Sequence, residues 1–394
     1  MDRPLLNRRL AEFGTTIFAE MSALAVRTNS LNLGQGFPDA DGPEEIREAA
    51  VRALRDGRGN QYPPGPGIPE LRTAVAAHQQ RFYGHLGLTC DPDTEVLVTA
   101  GATEAIAASL LALLEPGDEV IALEPYYDSY AACIAMAGGT RVPVTLRPDP
   151  ERGAYALDLD ELRDAVTDRT RLILLNTPHN PTGTVLSRDE LAEIARIARE
   201  RDLLVITDEV YEHLVFEGEH LPLASFPGMR ERTVTIGSAG KTFSFTGWKV
   251  GWITAAPELV AAVRSAKQFL TYVSAGPFQY AVAEALALPD SYFTALRDDL
   301  RTKRDILARG LTDAGFLVYR PAGTYFITTD IRPLGFDDGF AFCRALPERA
   351  GVVAIPNAVF YDHREQGAPF VRFAFCKSAD VLQDAVGRLK TLAG

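Results

Sequence analysis

The chain has 394 residues, 46% hydrophobic and 23% charged, the make-up of a folded soluble protein with a sizeable core and length enough for two or three domains. Its 40 basic against 52 acidic side chains leave a formal charge of -12, a sign that disfavours nucleic acid and anionic membrane surfaces as partners. Four scattered cysteines without a CxxC pair and six histidines without HExxH give no zinc pattern, so free buried thiols are expected.

The N-terminal stretch MDRPLLNRRLAEFGTTIFAEM mixes arginines with Asp2, Glu12 and Glu20 and has no apolar run ending at a small-residue cleavage site, so a cytoplasmic protein is expected. GPEEIREAAVRALRDG, residues 42–57, puts Pro43 at a first helical position, acids in the first turn and Gly57 at the end, and predicts a helix. NQYPPGPG follows as an irregular stretch. EVLVTAG predicts a strand running into a helix over TEAIAASLLALLEPGD, whose apolar run IAASLLALL is far short of a bilayer span. EVIALEP is a further strand ending in aromatics, and TRLILLNTP another. SRDELAEIARIARERD spaces Ser187 and Glu190 as a capping box. LLVITDEVY, RTVTIGSAGK and WKVGWIT then supply three more strands. A long helical stretch is expected from Pro257 to about Leu288, after which helices alternate with strands such as TYFITTDI and VRFAFCK.

This alternation predicts an α/β protein with a mainly parallel sheet buried on both faces and a second, smaller α/β domain. Ligands of such sheets bind beyond the carboxyl ends of the strands. TAGATE, EPYYDSY, NTPHNPTG, TDEVY and GSAGKT all fall there, which makes one shared site the expectation.

Lysine usage points to the chemistry. The chain has six lysines, at 241, 249, 267, 303, 377 and 390, and none in its first 240 residues. A sequence that writes Arg for nearly every cation yet places Lys241 between Gly240 and Thr242 needs an amine able to lose its proton, which arginine cannot supply. A P-loop does not explain it, because the glycine required five residues before Gly240 is Thr235. A nucleophilic amine would instead form a Schiff base with an aldehyde cofactor that serves as electron sink. Pyridoxal phosphate further needs a carboxylate beside its pyridine nitrogen, donors for its ring oxygen, a flat group over its face and a phosphate pocket. Asp208 at the end of a buried strand can be the carboxylate, or equally a helix cap or turn residue. Asn180 and Tyr211 can donate to the ring oxygen, and Tyr127 can cover the ring or simply pack in the core. Ser238, Lys249 and a helix N-terminus at Gly101, Ala102 and Thr103 can hold phosphate.

Taken together, NPTG, TDEVY and SAGKTFSFTGWKVGW resemble the class I/II pyridoxal-phosphate aminotransferases of the aspartate aminotransferase fold, fold type I, over almost the whole chain. More narrowly the chain resembles the kynurenine aminotransferase and glutamine transaminase K branch, and TTIFAEMSALA, NQYPPGPG and TDEVYEHLVF resemble actinobacterial N-succinyldiaminopimelate aminotransferases. The resemblance implies Lys241 as the Schiff-base lysine, Asp208 as the pyridinium partner, and Asn180 with Tyr211 as the ring-oxygen pair. It implies Tyr127 as the stacking aromatic, and Ser238, Lys249, Ala102 and Thr103 at the phosphate, with Tyr62 reaching the phosphate of the neighbouring subunit. Arg372 matches the arginine that grips the substrate α-carboxylate, a task suited to a planar bidentate fork. Gly36 matches a loop that closes over the substrate, and Phe18, Ser274, Asn180 and Tyr325 complete the implied substrate side.

A homodimer with a shared active site is implied, with a large seven-stranded cofactor domain over 47–285 and a small domain from 1–46 and 286–394. Kynurenine-type relatives carry Trp where this chain has Phe18 and a Phe-His pair where it has Ser274 and Ala275. The expected pocket is therefore roomier and more polar, suited to a long, acidic or amide-bearing amino acid. The leading expectation is ping-pong transfer from N-succinyl-L,L-diaminopimelate to 2-oxoglutarate. Kynurenine, glutamine, methionine or aromatic donors, cysteine-conjugate β-elimination, and a non-catalytic regulatory role are the alternatives.

Overall fold

The computed structural model describes residues 5–14 and 16–393. Seven strands form the main sheet: β1 (Val96–Thr99), β2 (Glu119–Glu124), β3 (Thr140–Thr145), β4 (Thr170–Asn176), β5 (Leu204–Asp208), β6 (Thr233–Ser238) and β7 (Gly251–Thr254). Their order is β1-β7-β6-β5-β4-β2-β3. Only β7 runs against the rest, pairing antiparallel with both β1 and β6. Val, Ile and Leu fill the central strands on both faces because helices cover each side, as the unbroken apolar runs predict.

A second sheet contains β8 (Leu317–Tyr319), β9 (Phe326–Asp330), β10 (Ile355–Pro356) and β11 (Phe370–Ala374), in the order β8-β9-β11-β10 and antiparallel throughout. The N-terminal segment is tied to this C-terminal part, since Leu31 and Asn32 pair in parallel with Val352 and Val353. The α/β class and the seven-stranded sheet of the sequence reading are both present. No helix among the described residues is long and apolar enough to cross a membrane.

The Arg188–Glu200 helix starts with the expected capping box: the Ser187 hydroxyl accepts from the Glu190 N–H, and the Glu190 carboxylate accepts from the Ser187 N–H. Three local expectations need correction. Pro43 is the N-cap, and the helix begins at Glu44. The stretch after Pro257 is two helices, Pro257–Lys267 and Gly276–Leu286. Tyr272 and Ala275 between them have φ values of 63° and 54°, a left-handed backbone that no α-helix can contain, and Pro277 opens the second helix. Finally, WKVGWIT is extended only from Gly251, because Thr246–Trp248 form a 3-10 turn and Lys249 is left-handed at φ 53°.

Candidate active site

The strand ends converge as topology requires. A cavity of about 480 Å³ opens where β1, β2, β4, β5 and β6 terminate, and its wall includes Gly101, Ala102, Thr103, Tyr127, Asn180, Asp208, Tyr211, Ser238, Lys241 and Lys249. The reversal of β7 explains Lys249: the residues just before an antiparallel strand, here Lys249 and Val250, arrive at the rim where its neighbours end. Gly251 must be glycine for this to happen, since a Cβ there would lie 2.7 Å from the Gly101 carbonyl carbon. Gly101, at φ 75°, begins the Gly101–Leu113 helix, whose free N–H groups and dipole make an anion seat beside Lys249.

Asp208 closes β5 and is only 5% exposed. One carboxylate oxygen accepts from the Tyr130 hydroxyl at 2.6 Å; the other has a long contact, 3.4 Å, with the Val210 N–H. Burial raises its pKa to about 6, against the lowering pull of the Tyr130 hydrogen bond. A buried carboxylate with so few partners is suited to a cation in the cavity. Asn176, in register with Asp208, donates to the Asp208 carbonyl at 2.7 Å and accepts from the Asn180 N–H at 2.7 Å, so one amide fixes two site residues.

Lys241 lies one residue beyond Gly240 on a single helical turn, Ala239–Thr242, that directly follows β6. Burial lowers the pKa of its amine, with Cys376 and Asp208 opposing. The amine lies 5.9 Å from the Tyr211 ring centre and 5.7 Å from that of Tyr325, and these two rings meet edge to face. Burial likewise pushes the Tyr211 phenol above its usual range. The same lysine borders a second cavity of about 320 Å³ on its far side, with Cys376 and Tyr325 in the wall.

Arg372 projects from β11 and is 2% exposed. It donates to the Asn180 side-chain oxygen and to the Gly34 carbonyl, both at 2.9 Å. Its Nε has no hydrogen-bond partner among the described residues. The guanidinium carbon stands 4.0 Å from the Phe326 ring centre and 5.4 Å from that of Phe18. Burial among these rings brings its pKa down to about 10, still well above neutral pH. With five N–H donors and only two in use, this cation has capacity for an incoming carboxylate. Gly36 borders the cavity, and its carbonyl accepts from the Tyr325 hydroxyl at 2.7 Å. Tyr325 therefore supports the loop from beneath and does not line the main cavity.

Besides Tyr325, two further expected residues are not brought to this cavity within the chain. Tyr62 is 83% exposed and meets Tyr272 edge to face. Ser274 is half-buried, with an unpartnered hydroxyl, outside the cavity wall. Conversely, Tyr130, Asn176, Gln35, Thr16 and Asp128 belong to the cavity and were not singled out from the sequence. EPYYDSY held a signal for one of them, as Tyr130 follows Tyr127 at helical i+3 spacing.

An amine with a lowered pKa, a buried carboxylate, a helix-terminal anion seat and a buried arginine around one cavity define an enzyme that works through an aldehyde cofactor. Comparison with known proteins gives the family. Residues 28–389 match the model of aminotransferase class I and II, and the chain belongs to that family. It is 57% identical to the probable N-succinyldiaminopimelate aminotransferase DapC of Mycobacterium tuberculosis, with 98% of each chain covered. It is 39% identical to the methionine aminotransferase of Escherichia coli, over 99% of this chain and all of that one. The solved N-succinyldiaminopimelate aminotransferase of M. tuberculosis superposes with a TM-score of 0.95 at 56% identity, covering 98% of this chain and 100% of that chain. The chain is thus an aminotransferase of fold type I, and its cofactor is pyridoxal phosphate.

Proposed function

We propose that the enzyme moves the amino group of N-succinyl-L,L-diaminopimelate to 2-oxoglutarate, working as a cytoplasmic homodimer that shares its active sites. The observation that carries aminotransfer is the meeting of Lys241, Asp208 and Arg372 at one cavity. The donor is supported by the 57% identity to the mycobacterial protein of that name. Phe18 in place of a larger aromatic is consistent with a long donor.

Residue roles follow from their chemistry. Ser238, Lys249 and the Gly101–Thr103 helix start would hold the cofactor phosphate, and Tyr62 of a second copy would complete the pocket. Asp208 would pair with the pyridine nitrogen and favour its protonated form, Asn180 and Tyr211 would donate to the ring oxygen, and Tyr127 would pack against the ring. Pyridoxal phosphate, when bound, supplies an electron sink for the charge left when a donor carbon loses its proton. Arg372 grips the donor α-carboxylate and so aims its Cα–H at Lys241. The unprotonated Lys241 amine then takes that proton and later returns it. Gly36, Phe18, Ser274 and Tyr325 shape or support the substrate side. Residues 47–285 would form the cofactor-holding body and 1–46 with 286–394 the smaller one.

The test is the visible cofactor absorbance of the purified enzyme, titrated with separate donors in the absence of acceptor. Loss of the signal with N-succinyl-L,L-diaminopimelate and its return with 2-oxoglutarate are expected. A response confined to methionine, glutamine or kynurenine would overturn the donor, and ammonia release without acceptor would replace aminotransfer by elimination.

A further inference from the structure

The geometry points to a second substrate subsite, in which Arg364 receives a remote carboxylate of a long N-acylated amino acid. This inference rests on the donor reading above and deepens it. N-succinyl-L,L-diaminopimelate bears two carboxylates beyond the one at the reacting carbon: one across a three-methylene chain on the acylated carbon, the other further out, at the end of the succinyl group beyond the amide. Among the described residues, the reactive cavity offers the cations Lys241, Lys249 and Arg372, all already committed to the reacting end. A remote anion must find its partner elsewhere or remain in water.

A neighbouring cavity, also about 480 Å³, has Thr16 and Asp128 in its wall in common with the reactive one. Its other carboxylates are already engaged. Glu12 pairs with Arg141 at 3.0 Å, and Glu20 pairs with Arg344 at 2.7 Å. Arg364 also lines this cavity, on the short turn Arg364–Gly367, and makes no ion pair or side-chain hydrogen bond among the described residues. Phe340 and Val359 supply apolar wall suited to methylenes. Asp128 at the junction repels a carboxylate but can accept from an amide N–H. The sequence of environments, acceptor at the junction and free cation beyond, matches an amide followed by an anion. A short donor such as methionine ends before the junction and has nothing to offer Arg364.

The experiment measures kcat/KM for N-succinyl-L,L-diaminopimelate, for Nε-succinyl-L-lysine, which keeps the amide and outer carboxylate but lacks the near one, and for methionine, in wild type, Arg364→Gln and Arg364→Lys. The inference expects Arg364→Gln to lower the ratio of long-acid to methionine kcat/KM by about tenfold, through KM, and Arg364→Lys to restore much of it. If wild type uses the succinylated donor and the ratio is unmoved by Arg364→Gln, the subsite is wrong and the donor reading survives. If wild type ignores N-succinyl-L,L-diaminopimelate but the Nε-succinyl-L-lysine ratio falls, the donor reading is wrong and the subsite survives. If wild type ignores N-succinyl-L,L-diaminopimelate and the Nε-succinyl-L-lysine ratio is unmoved as well, both are overturned.

Discussion

Tyr130 donates its hydroxyl proton to Asp208 at 2.6 Å, linking the helix after β2 to the carboxylate that ends β5. This bond opposes the burial that drives the Asp208 carboxyl upward. In Tyr130→Phe the carboxyl should therefore titrate higher, by about one pH unit. The acid limb of cofactor binding to cofactor-free protein should move up by that amount. An unmoved limb would show that Tyr130 only fills space.

Burial of Asp208 also predicts how the protein free of cofactor responds to pH. Its carboxyl titrates near 6 in the folded chain against 3.8 when unperturbed. The folded state thus holds the proton more tightly, and stability falls as pH rises from about 4 to about 6. Asp208→Asn should remove that loss, raising cofactor-free stability by up to about 3 kcal/mol at pH 7 and by little below pH 4. Thermal melts at several pH values decide it, and an offset independent of pH would be the wrong outcome. The same variant should bind cofactor weakly.

Lys241→Ala should abolish turnover, and Lys241→Arg should not rescue it, because a guanidinium keeps its proton at every accessible pH. Single-turnover mixing with the donor is the measurement. Proton transfer by the arginine variant at more than a thousandth of the wild-type rate, on the order of 4 kcal/mol of barrier, would remove Lys241 from the role of base.

Gly36 is held against Phe326, which in turn lies on the Arg372 guanidinium. A Cβ at residue 36 would come within 2.4 Å of the Phe326 ring, so Gly36→Ala must displace that ring or the loop. The expected result is a donor KM raised about tenfold with cofactor affinity kept, since the phosphate end lies apart. Equal loss of both would mean that the damage is global.

Much of this site could be read from residue order, because the parallel strands of an α/β sheet deliver their last residues to the same rim. Lys241 stood out by scarcity, and Asp208, Asn180 and Tyr127 by following apolar runs. Tyr130 and Asn176 did not stand out, because their partner, Asp208, lies 78 and 32 residues away and depends on strand register. The break at 268–275 was hidden because its left-handed residues are Tyr272 and Ala275, which give no turn signal, unlike glycine. Lys249 was readable as a phosphate ligand by its charge and its place near the other site residues, but its arrival at the rim depends on the direction of β7.

That reversed strand also sets an order of assembly. Among the described residues β1 has β7 as its only neighbour in the sheet, although some 150 residues separate them in the chain. As the polypeptide leaves the ribosome, β1 is made before the other six strands yet must wait for the last of them to be hydrogen-bonded. The Gly101 anion seat is thus completed after the remainder of the sheet can pair, so a nascent chain stopped short of Gly251 has no finished phosphate cradle. Capture of the cofactor becomes a signal that the entire sheet has closed.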